Sequence, residues 1–323
     1  MKKIWEKNWV YDVLKFYTDW TTRKCFRRFK VEGEENLLRD KPMIYAPNHC
    51  CTLLDAHVVL LADRHHPTSF GARADIFKSK LIYPILHTLR MVPLARMRDG
   101  LSEVEKNYAT FDEIIDCIGH RVPFCMFVEG THRPERGLQP IKNGIFKLAR
   151  LAEEKLGEDV YIVPVGLAYE DFFNYMGDVT IRYGKPFTMK EYEGENLREV
   201  LGGKILELIR DYPVRKEMPL ALSIPLAILS LPLFVLSFAF CWPMVLAAAI
   251  IIPKLKDKAW SNTARDATYY ASAPIFFIAL AVVMFITTPW WVALLSLAFF
   301  VVAHGLFYLL LYFYKRIIRK IGK

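Results

Sequence analysis

Between residues 40 and 213 short apolar runs alternate with longer segments whose apolar positions recur at helical spacing. Pro42–Ala46, Thr68–Ala72, Met91–Arg96, Val122–Val128, Val160–Ala168 and Val179–Gly184 have the length and composition of strands. The segments near 54–63, 76–89, 102–119, 143–156 and 193–211 have the period of helices. Such alternation predicts an α/β domain, a sheet covered by helices, with the working residues at strand ends and in the loops that follow. Pro164, inside one apolar run, is expected on an edge strand, where a missing N–H costs least.

Beyond residue 217 the pattern changes. Met218–Pro253 is a run of 36 residues without a formal charge, and Ala267–Tyr314 is a second of 48. One membrane-crossing helix needs only about 20 apolar residues, so both runs predict membrane-embedded helices. Each is expected to fold as a hairpin, the second turning at Thr287-Thr288-Pro289 with Trp290 and Trp291 at the membrane interface. The first is short for two crossings, and its five prolines would suit a shallow re-entrant hairpin. At the other end of the chain, Trp5, Trp9, Leu14, Tyr17 and Trp20 are interleaved with Lys and Arg, as in helices that lie on a membrane surface. The expected organisation is therefore N-terminal amphipathic helices at 1–30, an α/β domain at 31–216 and C-terminal transmembrane helices at 217–323.

The chain is 53% hydrophobic with a net charge of +9. Nine basic and two acidic residues follow Met218, so most of the positive charge flanks the apolar runs. That distribution fits an anionic lipid surface and not a nucleic-acid footprint. The basic clusters at 210–216, 254–265 and 315–323 are expected on the cytoplasmic side, as in a bacterial inner-membrane protein. The six cysteines show neither metal-ligand nor disulfide spacing, and the first 30 residues lack the apolar core of a signal peptide.

Two polar islands interrupt the apolar strands. In "YAPNHCCTLLDA", residues 45–56, Asn48 and His49 follow a strand and Asp55 comes six positions after the histidine. Read blandly, these are a capping asparagine, a core histidine and a helix-starting aspartate. Read chemically, a carboxylate on one ring nitrogen would fix the tautomer of an imidazole base. Cys50 and Cys51 adjoin the histidine, which leaves a thiol nucleophile open as a further reading. In "FCMFVEGTHRPERGLQPIKNGIFKLA", residues 124–149, Glu129, Gly130, Thr131, His132 and Arg133 follow a strand and Lys142 precedes a helix. A glycine allows close backbone approach, and Thr, Arg and Lys donate to anions. "RMVPLARMRDG" ends its strand with Arg96, and "VYIVPVGLAYE" carries the internal Pro164.

The order of these pieces resembles the four sequence blocks of the glycerolipid acyltransferases, the superfamily of the lysophosphatidic acid and glycerol-3-phosphate acyltransferases. The resemblance covers roughly residues 40–170. It implies that His49 is the general base and Asp55 its partner, and that Arg96, Glu129, Gly130, Thr131, His132, Arg133 and Lys142 bind the acceptor. It further implies a membrane O-acyltransferase that needs no cofactor or metal and uses acyl-CoA or acyl-carrier protein as co-substrate. The expected acceptor is 1-acyl-sn-glycerol-3-phosphate, giving phosphatidic acid for phospholipid synthesis, with glycerol-3-phosphate or a lyso-aminolipid as alternatives. An inactive membrane scaffold or transport protein is the reading of another class. The chain departs from the family pattern twice. Five residues, not four, separate His49 from Asp55, and Val128 and His132 stand where the family usually has proline and arginine.

Overall fold

The computed structural model describes residues 3–64, 66–95 and 107–322. The chain divides into two compact units, one of residues 1–19, 30–168 and 180–212, the other of residues 20–29, 169–179 and 213–323.

The first unit is built on one seven-stranded sheet. Its strands are β1 (Phe29–Glu32), β2 (Met43–Pro47), β3 (Ser69–Arg73), β4 (Met91–Leu94), β5 (Phe124–Cys125), β6 (Tyr161–Tyr169) and β7 (Val179–Tyr183), in the order β1-β7-β6-β2-β5-β3-β4. β2 is parallel to both its neighbours, β5 and β6, and β3 is parallel to β4 and β5. The helices are α1 (Trp9–Arg23), α2 (Leu53–Ala62), α3 (Ile82–Thr88), α4 (Asn107–Gly119), α5 (Gly144–Leu156) and α6 (Leu197–Leu208). Ile44, Phe124 and Ile162 from the strands pack with Ile118 of α4, Leu148 of α5 and Leu201 of α6 in one apolar cluster. Each is a residue that the sequence pattern puts on an apolar face.

Two connections place the site. From β2 the chain passes through α2 to β3, two places along the sheet. From β5 it passes through α5 to β6, two places in the opposite sense. Adjacent parallel strands whose connections diverge leave a crevice at their carboxyl ends, here between β2 and β5. The run Val122–Val128 contributes only two residues to β5. Beyond them the pairing continues singly, with Met126 N–H on the Tyr45 carbonyl (3.0 Å) and Val128 N–H on the Pro47 carbonyl (3.2 Å).

Pro164 departs from expectation. It lies opposite Ala46 in β6, an interior strand. Its carbonyl accepts from Gly184 N–H (2.8 Å), just past the end of β7. The N and C=O of one strand residue face the same neighbour, so the missing donor falls where the β7 ladder is already ending.

The helix that leaves the site, α2, is pinned beyond its far end by Asp63, which is 1% exposed. Its carboxylate accepts from Tyr45 Oη (2.7 Å), His66 N–H (3.0 Å) and Thr68 Oγ1 (3.4 Å). Burial alone would raise its pKa, but hydrogen bonds and charge from His66, together with Tyr45, hold it below the ordinary carboxylate range. In α1, Trp9, Val13 and Phe16 form the exposed apolar stripe. Trp5 precedes the helix and is packed elsewhere, its indole N–H on Asp116 (2.9 Å) and its ring stacked on His120.

The second unit contains α7 (Leu220–Ile251), α8 (Ser261–Thr287) and α9 (Trp290–Ile321), three helices long and apolar enough to cross a membrane. α8 and α9 are joined at Thr288-Pro289, where the second run is expected to turn. The hairpin expected in the first run does not form: α7 is a single helix of 32 residues with Pro225, Pro232 and Pro243 inside it. Residues 218–253 contain no Gly, Asn or Asp to close a turn. Opening one in hydrocarbon would strand backbone groups that water could not satisfy, whereas a proline gives up a single helical bond. Both ends of the α8–α9 hairpin are tied to the segment after β6. Asn262 and Arg265 donate to the carbonyls of Phe172 (3.0 Å) and Phe173 (2.6 Å), Lys315 to Asn174 Oδ1 (2.9 Å) and Arg316 to Glu170 (3.0 Å).

Asp63→Ala strips a buried acceptor from three donors and should destabilise the first unit by roughly 3 kcal/mol or more in chemical denaturation. Lys190→Ala, which removes an exposed ion pair with Asp159, should leave the denaturation midpoint essentially where it is.

Candidate active site

As the chain leaves β2, Asn48 extends the ladder with its side chain. Its Oδ1 accepts from Leu167 N–H (2.7 Å) and its Nδ2 donates to the Leu167 carbonyl (3.1 Å), so the amide acts as one more peptide unit against β6. It caps no helix; the cap position of α2 is Thr52.

His49 comes next, and the loop then folds back around Asp55, the third residue of α2. Asp55 Oδ2 accepts from His49 Nδ1, Cys50 N–H and Cys51 N–H, each at 2.7 Å. The aspartate is fully buried, while 16% of the His49 side chain remains accessible. The extra residue in the spacing is absorbed at Thr52, whose φ of 53° is a left-handed value that β-branched side chains rarely adopt. That local strain lets both cysteine N–H groups and the imidazole converge on one oxygen. In the neutral imidazole, a proton on Nδ1 facing the carboxylate makes Nε2 the acceptor nitrogen. Phe127 stacks on the imidazole with centroids 4.1 Å apart and fixes the plane of the ring.

The loop after β5 closes over the same histidine through its backbone. His49 N–H donates to Glu129 Oε1 (3.1 Å), and the His49 carbonyl accepts from Arg133 N–H (3.1 Å). Glu129 is 2% exposed. Burial pushes its pKa up to about 7, against the hydrogen bond and charge of His49 and a backbone bond from Gln139. Glu129 therefore laces the two loops together. Gly130 turns the chain at a φ of 65°, and a Cβ there would meet nothing closer than Lys142 Cγ at 3.5 Å, so the dihedral and not space calls for glycine.

The structure thus brings together His49, Asp55, Glu129, Gly130 and His132, whose ring lies edge-on to His49 with centroids 5.5 Å apart. Thr131 is exposed. The Arg133 guanidinium turns to Glu135 (3.2 Å) in a solvent-exposed pair. Lys142 gives its N–H to the Val128 carbonyl (2.8 Å) and keeps its side chain exposed beside Gly130. Arg96 lies outside the described residues. Sequence reasoning missed the bridging role of Asn48 and the stacking of Phe127. An aromatic inside an apolar run carries no signal that separates a ring platform from core.

Cys50 and Cys51 are buried, and burial raises the Cys50 thiol well above its usual range, against thiolate formation. What remains is an oriented imidazole with a free nitrogen at the mouth of a parallel-sheet crevice, a base that can take the proton of an attacking hydroxyl. The site is a histidine–carboxylate pair at the strand ends of an α/β sheet. A family model described as Acyltransferase matches residues 28–168, the stretch that holds both loops. The matched stretch carries sequence blocks that resemble those of the glycerolipid acyltransferases. The crystal structure of the 1-acyl-sn-glycerophosphate (LPA) acyltransferase PlsC from Thermotoga maritima is similar, at 20% identity and a TM-score of 0.48 over 65% of this chain and 82% of that one. No curated protein matches.

The Glu129 carboxyl holds its proton at pH values where an ordinary glutamate, near 4.5, has lost it. Between about pH 4.5 and 7 the folded state therefore binds more protons than the unfolded one, and stability falls as pH rises. Glu129→Gln keeps the acceptor oxygen and removes that slope. Denaturation across pH 5–8 should show variant and parent diverging as pH rises, with the variant more stable at pH 8 by up to roughly 3 kcal/mol.

Proposed function

We propose that the protein transfers a fatty acyl chain from acyl-CoA or acyl-carrier protein to 1-acyl-sn-glycerol-3-phosphate, forming phosphatidic acid. The observation that carries the reading is the His49–Asp55 pair at 2.7 Å, a buried carboxylate behind a partly exposed imidazole. The acceptor hydroxyl gives its proton to His49 Nε2 as its oxygen attacks the thioester carbonyl. The tetrahedral intermediate collapses, the C–S bond breaks, and the leaving thiolate recovers the proton from the imidazolium. Asp55 stabilises that imidazolium while it lasts. The loop of Gly130–Arg133, with Arg96 by resemblance, receives the acceptor phosphate.

A lipid acceptor and product fit the three long apolar helices and the exposed Trp9, Val13 and Phe16 of α1. Basic residues flank those helices, which supports an active site on the cytoplasmic side of a bacterial inner membrane.

His49→Ala should abolish transfer in purified protein supplied with an acyl thioester and lysophosphatidic acid, with membrane insertion unchanged; a rate within tenfold of the parent would overturn the mechanism. Asp55→Asn should lose orders of magnitude through the wrong tautomer. Cys50→Ala with Cys51→Ala should keep most activity, and an inactive, folded double variant together with an acylated thiol trapped in the parent would restore the cysteine nucleophile.

A further inference from the structure

Nothing in the proposed reaction uses the open end of the α8–α9 hairpin, where three cations gather on one turn of the chain. Arg265, near the start of α8, donates to the Phe173 carbonyl (2.6 Å) and to Asn262 Oδ1 (2.8 Å). Lys315 of α9 donates to Asn174 Oδ1 (2.9 Å), one residue further along that turn. Arg319 is exposed one helical turn beyond Lys315, and the charges of Arg265 and Arg319 both reach the lysine. Their partners are neutral. Among the described residues no carboxylate pairs with any of the three. Asp171 is occupied by the N–H groups of Phe173 (2.8 Å) and Asn174 (2.9 Å) and by the Asn174 amide (3.1 Å). Glu170 is taken by Arg316 (3.0 Å) and Arg215 (3.3 Å).

The helices set the depth of these charges. At about 1.5 Å per residue, Arg265 stands roughly 35 Å from the hairpin tip along α8 and Lys315 roughly 39 Å along α9. The hydrocarbon core of a bilayer is about 30 Å thick, so a hairpin that spans it carries both cations just past the core and into the headgroup layer. Like charges held together there repel, and the anions at that depth are lipid phosphates. One phosphate accepts several charge-assisted hydrogen bonds and suits cations converging from two helices. Phe173, 40% exposed, offers apolar surface beside them for the carbons of a lipid. We propose that Arg265, Lys315 and Arg319 bind the phosphate of an anionic membrane lipid, which is held across the open end of the hairpin and is not acylated there. The inference stands apart from the acceptor assignment, because neither helix carries a residue of the candidate active site.

The test uses the full-length protein in nanodiscs of phosphatidylcholine with a minority of phosphatidylglycerol, released into neutral detergent for native mass spectrometry. The parent should retain phosphatidylglycerol in preference to phosphatidylcholine. Each basic residue near an anionic headgroup is worth about fivefold in affinity, so Arg265→Gln with Lys315→Gln should cut that preference about twenty-fivefold. Both residues also brace the Phe172–Asn174 turn, so a second variant separates binding from folding. Arg319 is exposed and its guanidinium is bonded to none of the described residues. Arg319→Gln should cut the preference about fivefold and leave the melting midpoint in pure phosphatidylcholine unchanged. Lys256→Gln, an equal loss of charge on the exposed link between α7 and α8, should change neither. An Arg319→Gln protein that keeps the parent's preference overturns the site. Equal losses in Arg319→Gln and Lys256→Gln overturn it as well, since they would show diffuse attraction to an anionic surface. Displacement of the retained lipid by millimolar inorganic phosphate would make the ligand a soluble anion and overturn the lipid assignment.

Discussion

One carboxylate oxygen organises the candidate site. Asp55 Oδ2 gathers two backbone N–H groups and an imidazole N–H at 2.7 Å each, in a position closed to solvent. A buried carboxylate is tolerated only when its lone pairs are used, and here their use dictates the path of the chain. The loop must curl tightly enough for residues 49, 50 and 51 to face one point. Thr52 takes a left-handed dihedral to permit it, and Asp55 is the third residue of α2. The imidazole is oriented by the same bonds that make the aspartate bearable.

Around that point the fold supplies rigid supports. Asn48 ties the strand end to β6, Asp63 ties the far end of α2 to Tyr45 of β2, and Glu129 ties the second loop to the His49 backbone. All three are buried polar side chains that replace a missing backbone partner. Each accepts from a backbone N–H, of Leu167, His66 and His49 respectively, which is why their effect is positional.

Much of this was legible in the chain itself. Strands and helices of the α/β unit follow from apolar periodicity, and His49 and Asp55 stood out because polar residues rarely interrupt such runs. The readable part ends where a residue's meaning depends on a distant partner. Asn48 looked like a cap because nothing local shows that Leu167 lies beside it. Pro164 looked like an edge residue because the early end of β7 is a tertiary fact. Arg133 looked available until Glu135, two residues on, was seen to hold it. In the first apolar run proline suggested turning, yet without Gly, Asn or Asp to close a turn the helix continues through all three prolines.

The α8–α9 hairpin has both its ends bound to the segment after β6, while no formal charge occurs from Ala267 to Tyr314. Its tip, Thr287-Thr288-Pro289-Trp290, carries no charge, and both threonines return their hydroxyls to carbonyls of the preceding turn, Val283 and Met284. Driving such a tip through hydrocarbon moves no ion across the low-dielectric layer, so the largest barrier to spontaneous entry is absent. A hairpin of this composition has no charged segment that would have to be translocated ahead of it.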